Sequence, residues 1–160
     1  MKRRDFLSTT GAVLGAAALP AVAQSPSGAQ KFQPVQDIQP LVAQVTGGAV
    51  VETGGIEIEL PQIAENGNSV PLRIKVASPM TQADHVTAIH LFAERNPRPN
   101  VATFHLGPLA GRAEISTRVR LAGTQKLTVL AVFNNNRFRQ AQADVLVTSA
   151  ACLDEALADT

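Results

Sequence analysis

The chain has 160 residues, with 14 Lys and Arg against 13 Asp and Glu, 6 Phe, and neither Trp nor Tyr. That length fits one domain with a core of ordinary size, and the balanced charge offers no basic field for nucleic acid or an anionic membrane. Without Tyr or Trp there is no aromatic ligand box and no carbohydrate platform.

At the N-terminus, Lys2-Arg3-Arg4-Asp5-Phe6-Leu7 sets twin arginines before an aromatic–aliphatic pair. A weakly apolar run, Gly11 to Leu19, leads to Ala21-Val22-Ala23, a small-x-small cleavage pattern. The run is too short and too rich in Ala and Gly to cross a membrane. Residues 1–23 therefore read as a cleaved signal of the bacterial twin-arginine route, which takes folded cargo to the periplasm. Cleavage after Ala23 leaves 137 residues; three basic residues and one acid depart, so the formal charge goes from +1 to −1. Residues 24–36 read as a flexible linker, polar and rich in Ser, Pro, Gly and Gln as far as Gln33.

Asp37 to Val45 reads as a short helix, with Asp37 or Gln39 at its start, Pro40 at an early position and Gly47-Gly48 closing it. The period then becomes two. Ile56, Ile58 and Leu60 alternate with Glu57 and Glu59; Val70, Leu72, Ile74 and Val76 alternate with Arg73 and Lys75; Ile115, Thr117, Val119 and Leu121 alternate with Ser116, Arg118 and Arg120. Each predicts a strand with one wet face. Less regular strands are expected over Val86–Phe92, Val101–Leu106, Leu127–Phe133 and Arg137–Thr148, the last bulged near Gln140. The separators are turn residues: Glu65-Asn66-Gly67-Asn68, Asn96-Pro97-Arg98-Pro99-Asn100, Gly107-Pro108, Gly123-Thr124 and Asn134-Asn135-Asn136. This pattern predicts an all-β domain over residues 37–148, an immunoglobulin-like antiparallel β-sandwich of about seven strands with a short N-terminal helix.

Two of the strands are apolar on both faces. In Val86–Phe92, Ile89 and Leu91 oppose Val86, Ala88 and Phe92; in Leu127–Phe133, Leu130 and Val132 oppose Leu127, Val129 and Ala131. The second face either meets another subunit or lies under the N-terminal helix.

Chemistry-bearing residues are sparse. His85, His90 and His105 are the only histidines and form no close ligand pair, so the reading assigns no metal site and no cofactor. His85 is expected to be exposed before a strand, and His90 and His105 to be structural within strands. No phosphate loop, Gly-x-Ser-x-Gly or recognisable carboxylate pair points to an enzyme. Cys152 is the single cysteine, eight residues from the C-terminus. An exported chain cannot close an internal disulfide with an odd thiol. The thiol therefore serves a partner or a substrate, or is an inert buried side chain.

Several segments resemble the SoxY sulfur-carrier family. They are Ile56-Glu57-Ile58-Glu59-Leu60-Pro61-Gln62-Ile63-Ala64-Glu65-Asn66-Gly67, Asn96-Pro97-Arg98-Pro99 with Ala102-Thr103-Phe104 and Gly107-Pro108, and Ser116-Thr117-Arg118-Val119-Arg120. The helix ending in Thr46-Gly47-Gly48 and the twin-arginine leader fit as well, so matching spans run from about Asp37 to Cys152. The resemblance implies a periplasmic, non-catalytic sandwich that forms a heterodimer with a SoxZ-like sandwich protein. It also implies a carrier cysteine at Cys152 that holds thiosulfate-derived sulfur covalently. That sulfur would be conjugated by a c-type cytochrome and released as sulfate by a hydrolase. No nucleic acid or membrane partner is implied.

Residues 149–160 form the expected carrier arm, and here the chain departs from the family pattern. The family's cysteine is flanked by Gly-Gly on both sides, whereas Cys152 stands in Ser149-Ala150-Ala151-Cys152-Leu153-Asp154. Losing those glycines stiffens and thickens the arm. The segment has helical spacing, with Ser149 as N-cap and Leu153 and Leu157 on one face. Two functions remain open: a covalent sulfur carrier, or an interaction module that keeps the fold and partner surface without using the thiol.

Overall fold

Pro40 and Gly47 bracket the first element. In the computed structural model, which describes residues 34–151, helix α1 spans Gln39–Thr46, with Pro40 in its first turn and Gly47 at φ +63° ending it. The Gln39 N–H donates to Asp37 Oδ1 at 2.9 Å, satisfying one of the orphan donors of the first turn. Gly47 suits the left-handed closure because it has no Cβ to clash there.

Nine strands follow: β1 (Val51–Thr53), β2 (Ile56–Glu59), β3 (Ile63–Ala64), β4 (Val70–Val76), β5 (Val86–Ala93), β6 (Asn100–His105), β7 (Ala113–Val119), β8 (Gln125–Phe133) and β9 (Phe138–Val147). One sheet runs β1-β9-β8-β5-β6, with β3 also on β9; the other runs β2-β4-β7. The sandwich expected from period-two patterning is what forms, and the seven expected strands are all present. The two additional strands, β1 and β3, have only three and two residues, too few for alternation to register. Both pair parallel to β9, so the domain is not purely antiparallel.

Two local expectations are corrected. No bulge occurs near Gln140, because β8 and β9 pair in unbroken register from Gln125↔Val145 to Val132↔Phe138. The irregular pattern there has another source: Arg139 sits over the Phe133 ring and bonds Glu52, while Ala141 and Ala143 are small and only partly buried. The register shifts fall in β5 instead, between Val86 and Ala88 and between Leu91 and Phe92. The first of these turns Val86 into the main core with Ile89 and Leu91, away from Ala88 and Phe92.

The main core lies between the sheets and holds Val70, Leu72, Ile74, Ile89, Leu91, Leu121, Leu127 and Val129. Each fully buried side chain of this size contributes about 1.5–3 kcal/mol of transfer free energy. Phe92, Leu130 and Phe138 form a second cluster on the outer face of the large sheet, closed by Ile38 and Val42 of the helix segment. The helix thus accounts for the second apolar face of β5 and β8, and no partner is needed to cover Phe92 or Leu130.

The outer face of the small sheet is a ladder of charge. Arg73 faces Glu59 at 3.7 Å and Glu114 at 3.4 Å, and Lys75 pairs with Glu57 at 3.6 Å and also with Glu59. These pairs are exposed and contribute little to stability. They do mark the face as solvated.

Candidate functional site

β9 delivers the chain to the end of the sandwich where the loops after β3, β5 and β7 meet. From Thr148 onward the backbone leaves the β9 ladder but stays bonded to those loops. The Thr148 N–H donates to Ala64 O at 3.0 Å and its hydroxyl to Glu65 O at 3.1 Å. Ser149 O accepts from the Gly67 N–H at 2.7 Å, and the Ala151 N–H donates to Leu121 O at 2.9 Å. Leu121 is tied back in turn, its N–H donating to Gly67 O at 2.8 Å. The β7 ladder therefore ends at Val119, short of the expected Leu121, because both backbone groups of Leu121 are used by Gly67 and Ala151. Ala151 is buried at 7% exposure.

Gly67 is required at this junction by space. A Cβ there would lie 2.4 Å from Leu121 O, 2.8 Å from Ala151 N and 3.0 Å from Ser149 O, all of them backbone atoms.

Asn96, 5% exposed, holds the Leu121 segment from the other side. Its Nδ2 donates to Arg120 O at 2.8 Å; its Oδ1 accepts from the Ala122 N–H and from Gln125 Nε2, each at 3.0 Å. Gln125 Oε1 accepts from the Arg95 N–H at 2.9 Å, and Gln36 Nε2 donates to Asn96 O at 2.6 Å. A buried amide with each side-chain atom bonded fixes the residues on both sides of Leu121.

Cys152 lies outside the described residues; the described chain stops one residue before it. Most of the arm with helical spacing lies there too. Its first residues do not follow that spacing: Ala150 and Ala151 are not helical, and the Ala151 N–H that a Ser149 cap could accept is bonded to Leu121 instead.

The histidines are scattered. His85 is partly buried before β5, with Nδ1 2.9 Å from Thr81 O and its N–H on Asn134 Oδ1. His90 stacks on Phe92 with ring centroids 6.1 Å apart, and its Nδ1 lies 3.1 Å from the Thr103 hydroxyl. Burial, and then the nearby charge of His105, hold the His90 pKa below the ordinary imidazole value. Among the described residues no group of three or more His, Cys, Asp or Glu side chains is placed to hold a metal ion. An open groove beside the arm base is lined by Glu94, Arg95, Lys126 and Asp144, two cations against two anions, and so presents no net charge to a ligand. No helix among the described residues is long and apolar enough to cross a membrane.

Comparison with known proteins decides what this arm base belongs to. The family model "Sulfur oxidation protein SoxY" matches residues 42–152. The chain belongs to the SoxY family. The SoxY sulfur carrier protein of Chlorobium limicola f thiosulfatophilum is similar at 30% identity and TM-score 0.59, covering 69% of this chain and 96% of that one. A superoxide reductase (neelaredoxin) from Ignicoccus hospitalis is similar at 16% identity and TM-score 0.54, covering 61% of this chain and 94% of that one; at that identity it shares the fold alone. No curated protein matches the chain.

Sequence reasoning found the SoxY motifs but read Glu65-Asn66-Gly67-Asn68 and Asn96-Pro97 only as turns. Nothing in their composition announces that Gly67 and Asn96 both bond the Leu121 segment, since they stand 29 positions apart in the chain. A polar residue type is also no guide to a buried Asn.

Proposed function

We propose that this chain is a periplasmic carrier, delivered by the twin-arginine route, that holds thiosulfate-derived sulfur on Cys152 while other enzymes act on it. The observation that carries the proposal is the family match, which extends to Cys152 itself. The chain's own contribution is a single thiol, five positions after the end of β9 in the sequence.

Loading joins the Cys152 thiolate to the outer sulfur of thiosulfate in a new S–S bond, giving a protein thiosulfonate. Two electrons leave in that step, and a c-type cytochrome is the class of acceptor that takes them. Hydrolysis then places water oxygen on the terminal sulfonate sulfur and breaks its bond to the sulfur held by Cys152, so sulfate departs; a persulfide remains on Cys152 and two protons are released. The chain supplies the thiolate and the tether, and the other proteins supply the catalysis. A SoxZ-like sandwich protein is the proposed stable partner. Family membership supports that pairing, now that α1 accounts for the apolar face of β5 and β8.

Intact-mass analysis of protein taken from its native periplasm tests the carrier. The expected result is a thiosulfonate or persulfide adduct that disappears in Cys152→Ser, with the fold unchanged. Native protein that takes up a thiol reagent only after denaturation would refute it. Co-expression with the neighbouring SoxZ-like protein, followed by size-exclusion chromatography, should give a one-to-one complex; a persistent monomer would refute the pairing.

The missing glycines around Cys152 favour one alternative, an interaction module that keeps the partner surface and leaves the thiol unused. It predicts the complex without the adduct.

A further inference from the structure

Two segments that look like ordinary turns in the sequence, Glu65–Asn68 and Asn96–Pro99, converge on the Leu121 segment, which bonds the base of the C-terminal arm. We propose that Gly67, Asn96 and the Leu121 carbonyl form a latch that fixes Ser149–Ala151, and so sets the point from which Cys152 is offered to the enzymes that load it. This rests on the carrier reading of Cys152.

The latch is built in two layers. The outer layer is backbone: Gly67 bonds Ser149 O through its N–H and Leu121 N–H through its carbonyl, while Leu121 O takes the Ala151 N–H. The inner layer is the Asn96 amide, which holds Arg120 O and the Ala122 N–H and so prevents the Leu121 peptide from turning away. Gly67 is the keystone. Any side chain there would drive into the two backbone atoms that form the Leu121–Ala151 bond.

An arm that swung freely from the end of β9 would have no cause to bury its fourth residue or to give up an N–H to a neighbouring loop. Ala151 does both. The chain is therefore held as far as Ala151 and not only as far as Val147. Four residues are withdrawn from the reach of the arm, about 13 Å at roughly 3.3 Å per residue. What the chain loses in reach it gains in order. Cys152 is the next residue along, and consecutive Cα atoms are about 3.8 Å apart, so its starting point is set to within one residue. Gly67, Asn96 and Leu121 are positioning residues; they touch neither thiosulfate nor haem.

An unlatched arm, still held at Thr148 by Ala64 and Glu65, would have to lose the freedom of Ser149, Ala150 and Ala151 each time it entered a partner's channel, which slows productive loading. Small reagents diffuse to the thiol and need no such alignment.

The test compares three variants of the full mature chain in complex with its SoxZ-like partner. Ala151→Pro deletes the N–H that bonds Leu121. Gly67→Ala pushes a methyl against the same bond. Ala151→Gly keeps the N–H and serves as the conservative control. Loading by the conjugating cytochrome should fall at least about tenfold in the first two and stay within about twofold in the third. Iodoacetamide labelling of Cys152 should stay within about threefold throughout. In the wild-type chain the Ala151 amide should exchange at least about 100-fold more slowly than an unstructured amide, a measurement that needs no variant to fold. Equal loading of Ala151→Pro and wild type, or free exchange at Ala151, would overturn the latch alone. Wild-type protein that takes up no adduct overturns the carrier reading, and the positioning role with it.

Discussion

Asn96→Ala is the sharpest test of how the end of the sandwich is held. The substitution removes three side-chain hydrogen bonds: Nδ2 to Arg120 O, and Oδ1 from the Ala122 N–H and from Gln125 Nε2. Gln125 is 4% exposed, so its Nε2 loses its Asn96 acceptor in a site that water scarcely reaches, while its Oε1 keeps the Arg95 N–H. Ala122 is only partly buried and Arg120 is exposed, so water can replace part of what they lose. At about 1 kcal/mol net per bond, with the unsatisfied Gln125 at the high end, the expected loss is about 3 kcal/mol. With neither Trp nor Tyr in the chain, urea unfolding should be followed by far-UV circular dichroism and not by fluorescence. Asn135→Ala is the control; that side chain is exposed, bonds only Arg137 among the described residues, and should cost no more than about 0.5 kcal/mol. A loss below about 1 kcal/mol for Asn96→Ala would mean that water substitutes for the amide, and that Asn96 does not hold the Leu121 segment.

Leu130→Ala should cost about 3 kcal/mol by opening a cavity beneath α1, and should raise binding of a hydrophobic dye; a cost under about 1 kcal/mol would mean that the helix does not seal this face. Thr128→Val should stabilise the protein by about 1 kcal/mol in the same urea assay, because Thr128 Oγ1 is buried with no hydrogen-bond partner among the described residues; a loss of stability would show that an ordered water serves that hydroxyl. The His90 pKa is lowered on folding, so the unfolded chain binds more protons as pH falls through about 6.5, and stability should drop from pH 8 to pH 5. His90→Gln should flatten that part of the profile, and an unchanged slope would refute the assignment.

The sandwich was legible because its strands obey a period of two on a half-wet sheet. Val70–Val76 shows this best, with Pro71 and Arg73 exposed and Leu72 and Ile74 buried. Alternation fails where a register shift flips one residue, as at Val86, and where a strand is too short to alternate, as at Ile63-Ala64. It also could not decide what covers Leu130, because a helix and a partner subunit demand the same apolar face. Cys152 was legible as the one thiol of the chain. The arm base was not: the roles of Gly67 and Asn96 depend on a spatial meeting with Leu121 and Ala151, and residue type records only that each is suited to a turn.

β9 is the last strand among the described residues, and on the side away from β8 its edge would ordinarily be open. β1 closes that edge along Phe138–Gln140 and β3 along Leu146–Val147, while the chain between them crosses to the other sheet as β2. Only residues 141–145 lack a paired strand on that edge among the described residues, five positions that include the exposed Gln142 and Asp144. Intermolecular strand stacking wants an uninterrupted segment of about six or seven residues with little charge. The gap is too short and carries an acid near its middle, so the strand that ends in the arm is protected from recruiting further copies of itself, however crowded its surroundings become.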